Sequence, residues 1–548
     1  MRCWPIMISL ALLDRLRCCL LNREIGTGMN ILSGCREGFA ALDPSESEAG
    51  LAVGTLAQWV DVGFDDGGLL AYLIGRFDKG HRNRLSLANY VHLRMAEART
   101  AMAGEDTAEA LRHLDFVLAM QAELEDQVLI AIADFWKARC FRRNGEYDRA
   151  LEVIQRANDL AVRLGTTHLG AVIRTVEGWL MFQKGKPKEA SRLLQEANAT
   201  LRDCDDYIAL GNIQSAYGRM ARREGRYDHA LQHFEASIEF FQKRTGLEGY
   251  LARSLTNIAQ AKRLLALQIR RNMDAEWELR QHSEAGRRVD GQPKAARLER
   301  MHQLLRQAQA DLARAVEIYD RGHTHHGSGN VRVNAAYIQL DRGNFEGAEE
   351  SAREAFELGA TKADYILMCR ARILQALVGN ARFEEQIGEG EDSTRYAQVA
   401  HDCATEAVEL AKHTQSRRLL ARAHICQGLT LVNGFFNNPE LARVCLDRAE
   451  AYLEQDRHDA LWEEFLMLKT KILRAGTPDP NLRAWSEGAV GDKTLQEVLI
   501  EFEELLIPKV WEREDRKVSR VARRLSVSPK KVRRILRRLG LLAESETS

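Results

Sequence analysis

Apolar residues recur at helical spacing over most of this chain, in stripes long enough for two to four turns and separated by short polar breaks. The clearest run begins near Leu85. Four alanines, Ala110, Ala150, Ala190 and Ala230, stand forty residues apart. Three of them close near-identical phrases: Gly145-Glu-Tyr-Asp-Arg-Ala150, Gly185-Lys-Pro-Lys-Glu-Ala190 and Gly225-Arg-Tyr-Asp-His-Ala230. Glu105-Asp-Thr-Ala-Glu-Ala110 is a weaker first copy, and Gly343-Asn-Phe-Glu-Gly-Ala348 a later one. Before each turn a small residue (Ala138, Gly178, Gly218, Ala336) sits where two helices would cross. After it, an aromatic such as Tyr147 or Tyr227 and the buried-type pairs Ile154/Ala157, Leu194/Ala197 and Phe234/Ser237 extend a second helix. The pattern predicts antiparallel helix pairs over residues 85–475 and an all-α fold.

Other stretches are less regular. Residues 1–84 read as an N-terminal segment of short, possible capping helices, with Asp65-Asp66-Gly67-Gly68 as a turn rather than a metal loop. Leu251–Leu267 reads as a long helix. The mostly charged segment around 270–300 reads as an exposed helical extension or a mobile insertion. Helical periodicity resumes from Met301 to Tyr319, with further pairs at 331–359, 363–413 and 417–455 and a closing helix from Ala460 to Leu473. Gly388–Asp392 reads as an acidic loop. Thr477-Pro-Asp-Pro480 and Gly488–Asp492 mark a linker over 476–493.

Residues 494–548 form the last predicted domain. Thr494 and Glu497 have capping-box spacing ahead of a stripe made by Leu495, Val498, Leu499, Phe502, Leu505 and Leu506, which ends near Pro508. Val518, Val521, Ala522 and Leu525 line one face of a short helix. Ser526 and Val527 interrupt it. Ser528 is a suitable N-cap, Pro529 suits the first helical position, and Val532, Ile535, Leu536 and Leu539 repeat the apolar spacing before Gly540. Two short helices around a tight turn predict a helix-turn-helix. The second helix keeps its other face for Lys530, Lys531, Arg533, Arg534, Arg537 and Arg538.

Charge changes the picture only locally. The 548 residues carry 78 Lys+Arg and 78 Asp+Glu, so the whole chain is neutral. Between Arg513 and Arg538, however, twelve Lys/Arg face only Glu514 and Asp515, a balance of +10. Such a patch is a footprint for phosphate. Ten cysteines without a C-x-x-C predict reduced core thiols, not a zinc framework or a disulfide scaffold. The apolar stretch Ile6–Leu13 is too short to cross a bilayer, and no secretory cleavage site follows it. A cytoplasmic protein without membrane contact is therefore expected. Met29 offers an alternative start, which would leave residues 1–28 as upstream sequence.

Catalytic chemistry is not evident. His323-Thr-His-His326 precedes Gly327-Ser-Gly329 and reads as a solvated turn in a flexible loop, without the further ligands a metal site needs. No phosphate loop of the G-x-x-x-x-G-K-[ST] type is present. Trp136, Trp179, Trp462 and Trp485 read as packing residues. No cofactor, no metal and no enzymatic activity are expected.

The Gly–aromatic–Ala phrases resemble the tetratricopeptide repeat, with a forty-residue period in place of the usual ~34. Residues 494–541 resemble the C-terminal DNA-binding domain of the Fis family, also found at the end of many bacterial enhancer-binding activators. That resemblance implies a dimer built by the long helix, here through Leu495, Leu499, Phe502 and Leu506. It implies base-reading positions at Ser528, Pro529, Lys531 and Arg534. Pro529 departs from the family pattern, since a proline cannot reach a base edge. The combination looks like bacterial sensor-type regulators, in which a solenoid receives a peptide, protein or small-molecule signal. The expected function is sequence-specific binding of double-stranded DNA, with a protein or peptide on the solenoid. Ser528, Lys530, Lys531 and Arg534 lie where base edges are reached. Arg537, Arg538, Arg520, Arg523 and Arg524 are placed for phosphates. The alternative is a non-enzymatic interaction scaffold whose basic tail binds RNA, a membrane surface or an acidic protein.

Overall fold

The computed structural model describes residues 8–64, 66–281, 294–322, 325–385, 391–453, 460–476, 485 and 490–542. Among them every regular element is a helix. Two compact units are present: Met1–Asp274 with Asp290–Leu468, and Ala275–Val289 with Lys469–Ser548.

The first unit is a stack of helix pairs, including Gln127–Asn144 with Tyr147–Arg163, Thr167–Gln183 with Pro187–Leu201, and Tyr207–Arg223 with Tyr227–Gln242. The tight turn within each pair needs one residue in the left-handed region. Gly145, Gly185, Gly225 and Gly343 take it, with φ of +81°, +74°, +74° and +77°. In the weak first copy Glu105 adopts the same conformation at +61°. A non-glycine residue there is strained, but its carboxylate pairs with Arg143 at 2.8 Å and accepts from the His326 backbone N–H at 3.2 Å.

The repeat alanines Ala110, Ala150, Ala190, Ala230 and Ala348 are all fully buried, and Tyr147 and Tyr227 are buried beside them. Small residues on the partner helix explain the close approach. A Cβ on Gly218 would stand 2.6 Å from Phe234, and one on Gly178 would stand 3.1 Å from Leu194. Ala150→Leu is expected to overpack its crossing and to cost about 1–3 kcal/mol. Urea denaturation measures it, and an unchanged midpoint would refute the packing assignment.

Because each repeat is rotated against the last, the stack coils back on itself. Gln415 N–H donates to Gly145 O at 2.9 Å, and Ala460 N–H to Arg223 O at 2.7 Å. Arg244 donates to Val62 O at 2.7 Å.

The helix Leu10–Asn22 buries Leu13, Leu16, Cys19 and Leu20 in the main core. Arg23 and Asp206 form a buried ion pair at 3.4 Å. His325 and His326 do not lie in a flexible loop but open the helix His325–Asp341. That helix docks through small residues, with Gly327 against Tyr319 and Gly329 against Leu367, and His326 Nδ1 lies 2.5 Å from Asp364. Glu391 and Asp392, read as loop, begin the helix Glu391–Lys412, while residues 386–390 fall outside the described residues. The long helix after the linker does not stop near Pro508 but runs over Leu495–Arg513.

Of the charged 270–300 segment, helix Glu248–Gln281 and helix Lys294–Arg321 cover both ends, and residues 282–293 lie outside the described residues. So do Thr477–Pro480 of the linker. Asp66 caps the helix Gly67–Arg76 by accepting from Leu69 N–H at 3.2 Å, and pairs with Arg36 at 2.5 Å. No described helix is long and apolar enough to cross a membrane.

Candidate nucleic-acid interface

Three helices make the C-terminal interface: a support helix Leu495–Arg513, a first motif helix Val518–Arg524 and a second motif helix Pro529–Arg538. The support helix starts on a closed capping box. Glu497 N–H donates to Thr494 Oγ1 at 3.4 Å, and Thr494 N–H donates to the Glu497 carboxylate at 2.7 Å. The Thr494 backbone N–H first, and then its hydroxyl donating at 2.8 Å, hold the Glu497 carboxyl below its ordinary range. Pro508 removes one backbone donor inside the helix, yet the helix continues because the residues after it are needed. Ile507 is buried, and Val510 and Trp511 pack with it against Val521, Ala522, Val532, Ile535 and Leu536. Sequence reasoning missed these three by stopping at the proline. The signal was there, since Ile507, Val510 and Trp511 keep i, i+3, i+4 spacing.

The turn between the motif helices is built by Ser526, at φ +54°, and by Val527 N–H donating to Ala522 O at 3.0 Å. Ser528 then caps the second helix, its hydroxyl accepting from Lys531 N–H at 3.2 Å, and Pro529 occupies the first turn, where its missing donor costs nothing. Burial of Val532, Ile535 and Leu536 fixes the rotation of this helix and turns the opposite face to solvent.

The candidate DNA-contacting residues divide into two groups. Lys530, Arg533, Arg534 and Arg537 are exposed at i, i+3, i+4 and i+7, with Arg523 exposed on the preceding helix. None of these five has a carboxylate partner among the described residues. The second group is already paired. Lys531 meets Glu503, Arg538 meets Glu504 and Arg524 meets Glu514, while Arg520 pairs with Asp515 at 2.7 Å. Exposed pairs of this kind are weak and salt-screened, so a phosphate competes with the carboxylate for each cation.

Leu495, Leu499 and Phe502 are 76%, 51% and 39% exposed, and Leu506 is half-buried. An apolar strip on the N-terminal half of the support helix is therefore left to solvent, while its C-terminal half serves the motif. Among the described residues no group of His, Cys, Asp and Glu is arranged to hold a metal. Trp136 is buried with its indole N–H on Asp61 at 3.0 Å, and Trp462 lies edge-on to Phe465 at 4.6 Å.

No family model matches the chain, and no curated protein sequence does. Solved structures of similar form include a Rap protein complexed with Competence and Sporulation Factor, at 10% identity and TM-score 0.49, covering 73% of this chain and 98% of that one. The apo form of the quorum sensor NprR from B. thuringiensis matches at 12% identity and TM-score 0.46, covering 72% and 97%. A human IFIT1 dimer with m7Gppp-AAAA matches at 13% identity and TM-score 0.43, covering 86% and 96%. Likenesses this distant assign no ligand to this chain.

Proposed function

We propose that this chain is a DNA-binding regulator, a binding protein rather than a catalyst, whose helical-repeat unit receives a signal. One observation carries the DNA half of the reading. The second motif helix keeps four cations, Lys530, Arg533, Arg534 and Arg537, on the face opposite its buried stripe and without a carboxylate partner among the described residues. A helix of that kind, held by a turn and a support helix, fits a major groove with phosphates on either side. The test is a salt titration of the intact protein on genomic duplex fragments. Salt-dependent binding with a preferred subset of fragments is expected. Binding no better than that of an unrelated neutral protein near 50 mM salt would end the reading.

The apolar strip supports a homodimer. Pairing two copies through Leu495, Leu499, Phe502 and Leu506 would cover surface that is otherwise exposed. It would also present two recognition helices to adjacent half-sites. The intact protein is expected to sediment as a dimer at micromolar concentration, and Leu499→Glu with Phe502→Glu to yield a monomer that binds DNA more weakly. A wild-type monomer with and without DNA would rule the dimer out.

A further inference from the structure

The interior of the first unit holds a cavity of about 1240 Å³, counting its open mouth, lined by residues between Leu20 and Arg253. Its charge is unbalanced. Five arginines line it, Arg23, Arg139, Arg142, Arg219 and Arg253, against two carboxylates, Asp61 and Asp206. Both carboxylates are committed. Asp61 pairs with Arg139 at 2.6 Å and with Arg99 at 3.2 Å, and Asp206 pairs with Arg23 at 3.4 Å while capping its own helix at Ala209 N–H. The remaining three cations have no carboxylate partner among the described residues. Arg142 lies over the Trp179 ring at 5.2 Å, Arg253 lies over Tyr250 at 5.1 Å and donates to the Asn212 amide oxygen, and Arg219 has no hydrogen-bond or ion-pair partner among the described residues.

Three half-buried guanidiniums lining one cavity without a carboxylate partner among the described residues are costly. A guanidinium does not escape by losing its proton, so burial and mutual repulsion remain as a penalty on the fold. Burial first, and then Arg139 and Arg253, push Arg142 down to about 10. Burial, followed by Arg253, Arg222 and Arg142, pushes Arg219 well below its ordinary value. Further donors wait beside them: the Ser215 hydroxyl and the Trp179 indole N–H are buried atoms without a hydrogen-bond partner among the described residues. A fold retains an arrangement that lowers its stability where a ligand repays it.

We propose that this cavity binds a nucleoside polyphosphate, with its phosphates among Arg142, Arg219 and Arg253 and its base against the aromatic and aliphatic wall. A phosphate chain carries three or more negative charges to set against the three guanidiniums, and each guanidinium offers a fork that matches phosphate oxygens. Trp179, Tyr250 and the apolar residues Leu169, Val172 and Val176 supply surface for a planar ring. This inference rests on the reading of the repeat unit as a signal receiver and names the chemistry of that signal. It is independent of the DNA-binding reading, and failure of the DNA titration leaves it standing.

The test is calorimetric titration of the full chain with adenosine and guanosine triphosphates, with adenosine alone, and with a hexaglutamate peptide. Saturable binding of a triphosphate at one site per chain is expected, with quenching of Trp179 fluorescence that Trp179→Phe removes, and no binding of adenosine or hexaglutamate. Arg219→Gln is expected to lower the affinity at least tenfold while the ligand-free protein melts at the same or a higher temperature. That combination separates a binding residue from a structural one. Arg253→Gln repeats the measurement should Arg219→Gln fold poorly. The proposal is overturned if neither triphosphate saturates at millimolar concentration, if both variants bind as tightly as the wild type, or if hexaglutamate binds more tightly than the nucleotides.

Discussion

Arg534→Ala is expected to cost about 1–3 kcal/mol on the preferred duplex site and to relax the sequence preference there, whereas Arg538→Ala is expected to weaken all sequences alike. The two residues lie on one helix, and both are exposed. They differ in position and in partners. Arg534 sits about two turns from the Ser528 cap with no carboxylate partner among the described residues, on the face that would enter a groove. Arg538 is the last residue of the helix and is held by Glu504 of the support helix. Its charge is thus already partly compensated, so removing it is expected to change the logarithmic salt slope by no more than about one unit. Arg537→Ala, next to it but without a carboxylate partner among the described residues, is expected to change the slope more than Arg538→Ala. Glu504→Gln, which frees Arg538, is expected to strengthen binding at low salt. Titrations from 50 to 200 mM salt on specific and scrambled duplexes separate these effects. Equal losses for Arg534→Ala on both duplexes would remove base reading from that residue.

Local signals make part of this molecule legible in its sequence. Forty-residue spacing, small residues at crossings and the glycine at each turn are consequences of stacking one helix pair on the next, so they recur and can be read. The same holds for the motif helices, whose apolar faces repeat every three to four residues. What stays hidden depends on contacts between distant segments. Arg142, Arg219 and Arg253 lie on three different helices, each reads as an ordinary polar position on its own, and only the coiling of the repeats brings them to one cavity. Trp179 reads as a packing residue and does pack, with Tyr147 edge-on at 5.6 Å, yet its half-buried ring also forms cavity wall. Pro508 misleads for a different reason: as a helix breaker its local propensity points to an end, and the tertiary gain from burying Ile507 and docking Val510 and Trp511 outweighs it.

Deleting residues 1–28 is expected to destabilise the repeat unit more than any single substitution discussed above. The helix Leu10–Asn22 contributes Leu13, Leu16 and Leu20 to the main core at 2%, 0% and 5% exposure. At roughly 1.5–3 kcal/mol for each fully buried leucine, their loss amounts to ~5–9 kcal/mol, an upper figure because unfolded chains already bury some surface. Net stabilities of folded domains are themselves only about 5–15 kcal/mol. Secondary losses point the same way. Gly28 lies so close to the fully buried Trp59 that a Cβ there would stand 1.9 Å from its ring, so removing the segment uncovers one of the largest side chains in that core. Arg23 and the Ile25 and Gly26 N–H groups go too, which strips the buried Asp206 of its cation and Asp205 of both its backbone donors. The wall of the arginine-lined cavity is breached at Leu20, Leu21 and Arg23. Thermal melting and urea denaturation of a chain starting at Met29, beside the point variant Leu16→Ala at about 2–5 kcal/mol, measure the effect. If the shortened chain melts with the full one, the N-terminal helix is dispensable to the fold and its burial has been overvalued.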